Sequence, residues 1–248
     1  MMARTTDKRL SIVDVTLGTG LPKRTIDVET PRFSYIIADD HPSVSLAVSQ
    51  LLSEVVGIDP SRFNIVTTSA ELLEACSQPS VSLRFVVLDL VMPGDLKRVS
   101  LVQALLRADP AARILVYTAD ESAFLASAVI DAGAISYVAK TSPAVELMDA
   151  IVAVSHGHQH VDHRIDLESI KTHPWSSLTD SERAVLVEFC RGQKAVDIVA
   201  NTRRSYSTVM THKYNGLNKL GLRDGSDLLQ YIYINGLLHE LDEKPREP

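Results

Sequence analysis

A short apolar run that ends on a single aspartate constrains this chain most. Residues 85–94 have the sequence FVVLDLVMPG, in which Asp89 follows the run and Pro93 and Gly94 close it. Such a run, bounded by proline and glycine, is typical of a strand buried on both faces of a parallel sheet. Asp89 then lies at the carboxyl end of the strand, where open α/β sheets bind ligands. An aspartate at a strand end can instead cap a turn, and this stretch alone does not separate the two roles.

Composition favours a globular protein with two modules. Hydrophobic residues make up 45% of the 248 residues and charged residues 23%, which are ordinary values. The two cysteines lie far apart, which argues against a disulfide framework, and no apolar run is long enough to span a bilayer. We therefore expect a cytoplasmic protein without membrane contact. Residues 33–156 hold fourteen acidic and seven basic residues, whereas 174–236 hold six and eight, which indicates two separate tasks.

Strands and helices are predicted to alternate five times after residue 32. The predicted strands are 33–38, 63–67, 84–88, 113–117 and 135–138, and each precedes a segment with helical spacing of apolar residues. This alternation predicts a doubly wound, flavodoxin-like parallel sheet of five strands with helices on both faces. After residue 173 only helices are predicted. Four short helices with tight turns indicate a small all-α helix-turn-helix domain.

The chain is accordingly divided into five parts. Residues 1–32 show no sustained period and are predicted to be a flexible extension. The α/β domain covers 33–156. A polar segment with weak periodicity, 157–173, is predicted to be a linker. The helical domain covers 174–236, and a tail covers 237–248.

Charged and hydroxyl side chains follow four of the predicted strands. In chain order they are Asp39, Asp40, Asp89, Thr118 and Lys140. The carboxyl ends of parallel strands converge, so three carboxylates would repel one another without a cation, and oxygen ligands favour Mg²⁺. An aspartate beside Mg²⁺ can act as a nucleophile toward a phosphoryl donor. Lys140 and the Thr118 hydroxyl are then placed to hold the phosphoryl oxygens.

This constellation resembles the receiver domain of two-component response regulators over about residues 33–156. The similarity is carried by ADDH at 38–41, LDLVMPG at 88–94, YTA at 117–119 and YVAK at 137–140. The resemblance implies that Asp89 is the phosphoacceptor. It also implies that Asp39 and Asp40 bind Mg²⁺ together with Asp89 and the backbone carbonyl of Val91.

The resemblance assigns two further roles within the same domain. Thr118 and Tyr137 match the switch pair of the family, and Lys140 matches its invariant lysine. One departure follows the MPG motif, where the family usually has a second glycine and this chain has DLKRV at 95–99. A receiver fold with a degenerate pocket is the alternative, and the presence of every pocket residue argues against it.

The same resemblance implies how a phosphoryl group on Asp89 would act. Thr118 would move toward the phosphoryl group, and Tyr137 would turn inward into the space left free. The surface over 122–155 would then change and pair two chains. Its apolar residues are predicted to be Ala126, Val129, Tyr137, Val145 and Met148.

The helical domain contains a basic segment without acidic residues. Residues 203–223 have the sequence RRSYSTVMTHKYNGLNKLGLR. A helix with bases and small hydroxyls, preceded by a short helix and a turn, is a candidate recognition helix for the major groove of DNA. Its Lys and Arg would neutralise phosphates, while other side chains would contact base edges. On charge alone, a solvated basic helix is the favoured alternative.

Two segments of this domain resemble the LuxR/NarL-type helix-turn-helix. They are LTDSERAVL at 178–186 and TVMTHKYNGLNKLGL at 208–222. Met210 replaces a frequent lysine of that family, and Gly216 replaces an apolar residue at a cost of about 1 kcal/mol of helix stability relative to alanine. The predicted DNA contacts are Arg203, Arg204, Ser205, Ser207, Thr208, Met210, Thr211, Lys213, Tyr214 and Lys219.

The predicted function is that of a phosphorylation-controlled, DNA-binding transcription regulator. It is not predicted to be an enzyme beyond its own phosphorylation on Asp89 and slow dephosphorylation. The resemblance implies a histidine kinase or phosphotransfer protein as donor, promoter DNA as target and a homodimer on phosphorylation. The segments DDHPSV and MPGD are similar to the capsule-synthesis regulator branch, and a heterodimer with an auxiliary regulator is a further option.

Two other functions remain open on the sequence alone. One is a transcription regulator that works without phosphorylation and is gated by a protein partner or a ligand at the same sheet edge. The other is a metal-dependent phosphotransferase enzyme. Such an enzyme needs a general base beside Asp89, and His41 is the only histidine near a strand end in the right place.

Four histidines cluster where the predicted linker begins. They are His156, His158, His160 and His163. Their spacing can chelate Zn²⁺ or Ni²⁺. The sequence shows no carboxylate or thiolate framework that would fix them, so a solvated linker is favoured.

Overall fold

The computed structural model describes residues 15–16, 22–23, 33–57 and 59–242. Most of the predicted extension lies outside the described residues. Within the extension, Val15–Thr16 (β1) and Pro22–Lys23 (β2) pair in antiparallel fashion. The last six residues of the predicted tail also lie outside the described residues.

The α/β domain is a parallel sheet with helices on both faces, as the sequence predicts. Its strands are β3 (Phe33–Ala38), β4 (Asn64–Val66), β5 (Leu83–Leu88), β6 (Arg113–Thr118), β7 (Ser136–Ala139) and β8 (His160–Val161). Its helices are α1 (Pro42–Val56), α2 (Ser69–Ser77), α3 (Arg98–Ala108), α4 (Ala123–Asp131) and α5 (Ala144–Ser155). The strand order is β4-β3-β5-β6-β7-β8, and every neighbouring pair is parallel.

The sheet has six strands, and the prediction of five is wrong. The additional strand, β8, pairs with Ser136 and Tyr137 at the edge of β7. It lies in the segment predicted to be a linker. This segment is fixed because Asp162 is buried and Ile165 joins the apolar core between the sheet and helices α2 to α4. A strand of two residues is too short to give a periodic signal, which explains why the sequence did not reveal it.

Helix starts in the α/β domain follow from local side-chain chemistry. Thr68 caps α2 and accepts a hydrogen bond from the backbone N–H of Glu71, whose carboxylate in turn accepts from the Thr68 N–H. This reciprocal pair of hydrogen bonds is a capping box, and it fixes the start of α2 at Ser69. Ser122 caps α4 through the N–H of Leu125. Both helices cover the same face of the sheet as α3, and α1 and α5 cover the other face.

The helical domain packs around Trp175, which is fully buried. Its helices are α6 (Ser169–Thr172), α7 (Asp180–Cys190), α8 (Ala195–Thr202), α9 (Tyr206–Lys219) and α10 (Leu228–Ile234). One short 3-10 turn, Pro174–Ser177, lies between α6 and α7, and another, Leu238–Leu241, follows α10. The helix α7 begins with a capping box of Thr179 and Glu182. No helix in the described part of the chain is long and apolar enough to cross a membrane.

Gly216 lies where α9 packs most closely against α7. A Cβ atom added there would lie 2.8 Å from Cδ1 and 3.2 Å from Cγ of Leu186. Contacts this short do not fit a side chain without movement of the neighbour. The glycine that weakens the isolated helix therefore permits close packing of the two helices in the folded domain.

The segment after α10 contacts both domains. The Ser122 hydroxyl donates to the carbonyl of Gly236 at 2.7 Å, and Arg98 forms an ion pair with Asp242 at 2.8 Å. Leu237 is fully buried in the core around Trp175. Residues 237–242, predicted to belong to a tail, thus pack between the helical domain and the amino-terminal ends of α3 and α4.

Candidate functional site

The predicted acidic pocket lies at the carboxyl edge of the sheet between β3 and β5. Ala38 and Leu88 are paired in register, so Asp39 and Asp89 follow neighbouring positions on the two strands. The N–H of Asp89 donates to the carbonyl of Ala38 at 2.8 Å. The direction of winding reverses between these two strands, and open α/β sheets bind ligands at such a switch point.

Lys140 lies between two of the pocket carboxylates. Its Nζ is 2.6 Å from Oδ2 of Asp39 and 2.6 Å from Oδ2 of Asp89. The exposed fractions of the Lys140, Asp39 and Asp89 side chains are 15%, 4% and 7%. Burial disfavours the ammonium, but the hydrogen bonds and charges of the two carboxylates outweigh it and raise the pKa of Lys140. The pocket thus holds a permanent cation against the predicted phosphoacceptor.

The carboxylates retain oxygens that fit a divalent cation. Ligand atoms of Asp39, Asp40, His41 and Asp89 lie within 4.8 Å of one another. Oδ1 of Asp40 is buried and accepts no hydrogen bond, although Nδ1 of His41 lies 2.9 Å away. Three carboxylates around one ammonium leave negative charge to be balanced. This oxygen set is of the kind that binds Mg²⁺.

Val91 lies on the loop that follows Asp89. Its N–H donates to Oδ1 of Asp89 at 3.2 Å, and its side chain is exposed. The loop therefore folds back on the pocket and keeps the backbone of Val91 beside the predicted phosphoacceptor.

The predicted switch pair lies beside this pocket on β6 and β7. Thr118 is buried at the carboxyl end of β6. Tyr137 is fully buried, and its hydroxyl donates to the backbone carbonyl of Asp120 at 2.7 Å. The ring therefore already occupies the inward position that was expected only in the phosphorylated protein. The contact at Asp120 was not predicted, because a backbone carbonyl leaves no side-chain signal.

Two tyrosines are the largest exposed side chains of α9. Tyr206 is 55% exposed and Tyr214 is 57% exposed. Tyr214 is among the predicted DNA contacts, whereas Tyr206 is not. Tyr206 directly follows Ser205, which caps the helix through the N–H of Thr208.

Three of the predicted basic contacts are engaged within the domain. Lys219 donates to Glu182 at 2.7 Å and to the carbonyl of Ser177 at 3.1 Å. Lys213 lies over the ring of Phe189, with Nζ 4.2 Å from its centroid. Arg204 donates to the Ser181 hydroxyl at 3.1 Å. These bases fasten α9 to α7 in addition to supplying positive charge.

The other predicted contacts lie at the surface around the start of α9. Arg203 is exposed and has a left-handed backbone with φ of 56°. Met210 is half-buried. The remaining predicted contacts are small hydroxyl side chains, all exposed: Ser205, Ser207, Thr208 and Thr211. The structure thus brings tyrosines, hydroxyls and one arginine together on the outer surface of this helix.

Known proteins with similar sequences agree with an α/β domain that carries an acidic pocket. Residues 35–152 match the family model described as the response regulator receiver domain. The chain is 30% identical to the nitrate/nitrite response regulator protein NarP of Escherichia coli K12 over 203 residues, which cover 79% of this chain and 92% of NarP. It is 26% identical to the transcriptional regulatory protein RcsB of the same organism, with the same coverage. These relatives are named as regulators and not as enzymes.

Solved structures extend the similarity to the helical domain. RcsB of Salmonella enterica serovar Typhimurium, bound to a promoter in the presence of the phosphomimetic BeF₃⁻, is 27% identical. Its TM-score is 0.56, with coverage of 80% of this chain and 96% of that one. A structure of two RcsB dimers bound to two parallel DNAs gives a TM-score of 0.54 at 26% identity, with coverage of 80% and 97%. The chain therefore belongs to the two-component response regulators of the NarL/LuxR type.

Proposed function

We propose that this protein is a phosphorylation-controlled transcription regulator in which Asp89 accepts the phosphoryl group and α9 contacts promoter DNA. The observation that carries the first part is the position of Lys140 between Asp39 and Asp89, at the edge where the sheet changes winding direction. The similarity to NarP and RcsB supports the second part. The donor is a histidine kinase or a phosphotransfer protein, as in two-component systems.

The chemistry is a phosphoryl transfer between two groups. A carboxylate oxygen of Asp89 forms a bond to phosphorus, and the bond from phosphorus to the imidazole nitrogen of the donor breaks. The donor ring, which is protonated on its other nitrogen, leaves as neutral imidazole, and Asp89 becomes an acyl phosphate. Lys140 exchanges its contact with Asp89 for one with a phosphoryl oxygen, and Thr118 donates a hydrogen bond to another.

Asp39, Asp40, Asp89 and the carbonyl of Val91 would hold Mg²⁺. When bound, the ion supplies positive charge that neutralises the phosphoryl oxygens as the transfer proceeds. This role is supported by the three carboxylates and by the buried Oδ1 of Asp40, which accepts no hydrogen bond.

The test is intact-mass spectrometry after incubation with acetyl phosphate and Mg²⁺. Wild type should gain one phosphoryl group per chain, and Asp89→Asn should gain none. Asp95→Asn is the matched control, because Asp95 is an exposed carboxylate on the same loop. Equal labelling of wild type and Asp89→Asn would refute the assignment. Absence of label on wild type would favour a regulator gated by a protein partner or ligand instead.

DNA binding by the full-length chain should depend on salt. Charge from Arg203 and neighbouring bases neutralises phosphates, so the logarithm of the affinity should fall linearly with the logarithm of salt concentration, by about 0.9 per phosphate contact. Fluorescence anisotropy with a labelled duplex measures this slope. An affinity that ignores salt would contradict a role for α9 in phosphate contact.

A homodimer on phosphorylation is the least direct part of the proposal. It is supported by the RcsB dimers bound to DNA, because paired modules favour paired half-sites. The pairing surface predicted from the sequence does not fit the structure. Ala126, Val129, Tyr137 and Met148 are buried, leaving only Val145 exposed, and β8 covers the edge of β7.

Analytical ultracentrifugation with and without beryllofluoride tests the dimer. The mass should double in the presence of beryllofluoride for wild type and stay that of one chain for Asp89→Asn. A single mass under both conditions, together with tighter DNA binding, would replace the dimer with a change inside one chain. The heterodimer with an auxiliary regulator stays a prediction.

A further inference from the structure

A second cluster of metal-ligating side chains lies outside the acidic pocket. Glu146 lies in the first turn of α5, and Asp162 and His163 directly follow β8. One ligand atom from each of the three lies within 4.8 Å of the others. The histidine-rich segment, for which the sequence shows no carboxylate framework, thus acquires one from the fold.

The distances suit a small cation bound by nitrogen and oxygen. Nδ1 of His163 lies 2.9 Å from Oε2 of Glu146 and 3.6 Å from Oδ1 of Asp162. In a tetrahedral zinc site with bonds of about 2.0–2.1 Å, ligand atoms lie about 3.3–3.4 Å apart. The two observed distances lie on either side of that spacing.

The two carboxylates are held in place by other groups. Asp162 has a fully buried side chain, and its Oδ2 accepts hydrogen bonds from the N–H of Ala139 at 3.1 Å and from the Ser142 hydroxyl. The second oxygen of Glu146, Oε1, lies 2.8 Å from Nε2 of His160. Partners of this kind orient metal ligands in protein sites.

Two carboxylates meet at the centre of this cluster, and Oδ1 of Asp162 already accepts a hydrogen bond from the N–H of Arg164 at 3.0 Å. A neutral imidazole carries one N–H, so Nδ1 of His163 can donate to only one of the two carboxylates that face it. In this structure Glu146 and Asp162 form ion pairs with histidines. The carboxylates of the acidic pocket, in contrast, pair with a lysine. A divalent cation at this position would contact all three ligand atoms and balance both charges.

We propose that Glu146, Asp162 and His163 form a binding site for Zn²⁺ or a similar first-row transition ion, with His160 positioning Glu146. Mixed imidazole and carboxylate ligands favour this class over Mg²⁺, which prefers oxygen ligands alone. Water completes the fourth position. The ion would fasten the segment after β8 to the start of α5 and to the loop that follows Lys140, since Ser142 of that loop is bonded to Asp162.

Isothermal titration of the untagged full-length protein with zinc chloride, in excess Mg²⁺, tests this site. Wild type should bind one Zn²⁺ per chain. His163→Ala and Glu146→Gln should weaken binding by about a hundredfold or more, and His160→Ala by a smaller factor, about tenfold. His158→Ala is the matched control, because His158 is exposed on the same segment outside the cluster, and its affinity should equal that of wild type.

Cobalt substitution gives a second readout that does not depend on affinity. Co²⁺ in a tetrahedral site gives intense visible absorption, which wild type and His158→Ala should show and His163→Ala should lack. Asp40→Asn should keep the signal, since it alters only the acidic pocket. Equal Zn²⁺ affinity of wild type and His163→Ala, or loss of binding in Asp40→Asn, would overturn the proposal. The His163 side chain is 70% exposed, so His163→Ala should keep the fold. This variant therefore tests the site even if Glu146→Gln does not fold.

Discussion

The acidic pocket of the receiver and helix α9 of the DNA-binding domain place charge in opposite ways. In the pocket, Lys140 is withdrawn from solvent and bonded to Asp39, a proposed metal ligand, and to Asp89, the proposed phosphoacceptor. In α9, Lys219 and Lys213 are drawn into the packing of the domain, and tyrosines are left outside. The function proposed for the pocket therefore depends on ion pairs among its own side chains. The DNA contact proposed for α9 depends on the side chains that remain exposed after the helix packs against the rest of its domain.

Replacing Lys140 should give the largest effect and would test the pairing directly. Lys140→Met leaves two buried carboxylates without their cation, and we expect the free energy of unfolding to fall by about 3 kcal/mol in the presence of a chelator. Mg²⁺ should restore part of the loss. Urea unfolding followed by circular dichroism measures both values. Lys97→Met, at an exposed lysine of the same domain, should leave stability nearly unchanged, and an equal loss there would contradict the pairing.

A side chain added at Gly216 should show how far α9, unlike the acidic pocket, depends on packing between helices. Gly216→Ala gains about 1 kcal/mol of helix propensity but forces Leu186 to move, which costs about 1–3 kcal/mol. We expect a net destabilisation of about 1 kcal/mol. The chain has a single tryptophan, Trp175, so urea unfolding followed by its fluorescence measures this domain. Asn215→Ala, at an exposed neighbour, should be slightly stabilising, and a stabilising Gly216→Ala would show that packing does not require glycine.

Comparing Tyr214 with Lys219 tests whether exposure decides which side chains contact DNA. Tyr214→Ala should lower affinity for an operator selected from random sequences by about 1 kcal/mol, with little change for other DNA. Lys219→Ala should change both affinities little, because its ammonium is bonded to Glu182. Anisotropy titrations with both duplexes measure the difference. A larger loss for Lys219→Ala than for Tyr214→Ala would reverse the assignment.

Lys219→Ala should instead be detected in the stability of the helical domain. Burial alone would raise the pKa of Glu182, but the hydrogen bonds from Lys219 and from the N–H of Thr179 lower it. Without Lys219 this buried carboxylate loses its cation. Trp175 fluorescence should therefore report an earlier unfolding midpoint for the variant.

The smallest effect concerns residues 236–242, which connect the helical domain to the starts of α3 and α4. Burial lowers the pKa of His239 below its ordinary value of 6.5, despite the charges of Glu240, Asp242 and Asp120, and Arg98 lowers it further. The neutral ring is therefore favoured in the packed state. The contact is complete above pH 6.5 and should weaken as the pH falls below that value, because protonation is easier once the segment is released.

Hydrogen exchange of residues 236–242 measures this pH dependence between pH ~7.5 and ~5.5. Exchange corrected for its intrinsic rate should increase at the lower pH in wild type. His239→Gln, which cannot be protonated in this range, should show a smaller increase. The same increase in both chains would assign the effect to another group.

Local patterns in the sequence were sufficient to predict most strands and helices of the receiver domain. Strand β3 has the predicted bounds, and the ends of the other four predicted strands differ from the prediction by at most one residue. The side chains at the carboxyl ends of these strands lie at one edge because parallel strands deliver them there. The sequence was less informative for α9. Its helical position follows from the pattern, but the partners of Lys219, Lys213 and Arg204 lie on α7 and depend on how the two helices pack.

What the sequence determined by itself was the α/β alternation, the acidic pocket and the helix-turn-helix, since each rests on short motifs in consecutive elements. The tertiary structure alone decided the sixth strand, the role of Gly216 and the neighbours of the histidine segment. Glu146 lies seventeen positions before His163 in the sequence, yet packing of α5 against β8 brings their side-chain atoms to 2.9 Å. Contacts of this kind depend on how elements pack across the sheet, and no local period in the sequence encodes them.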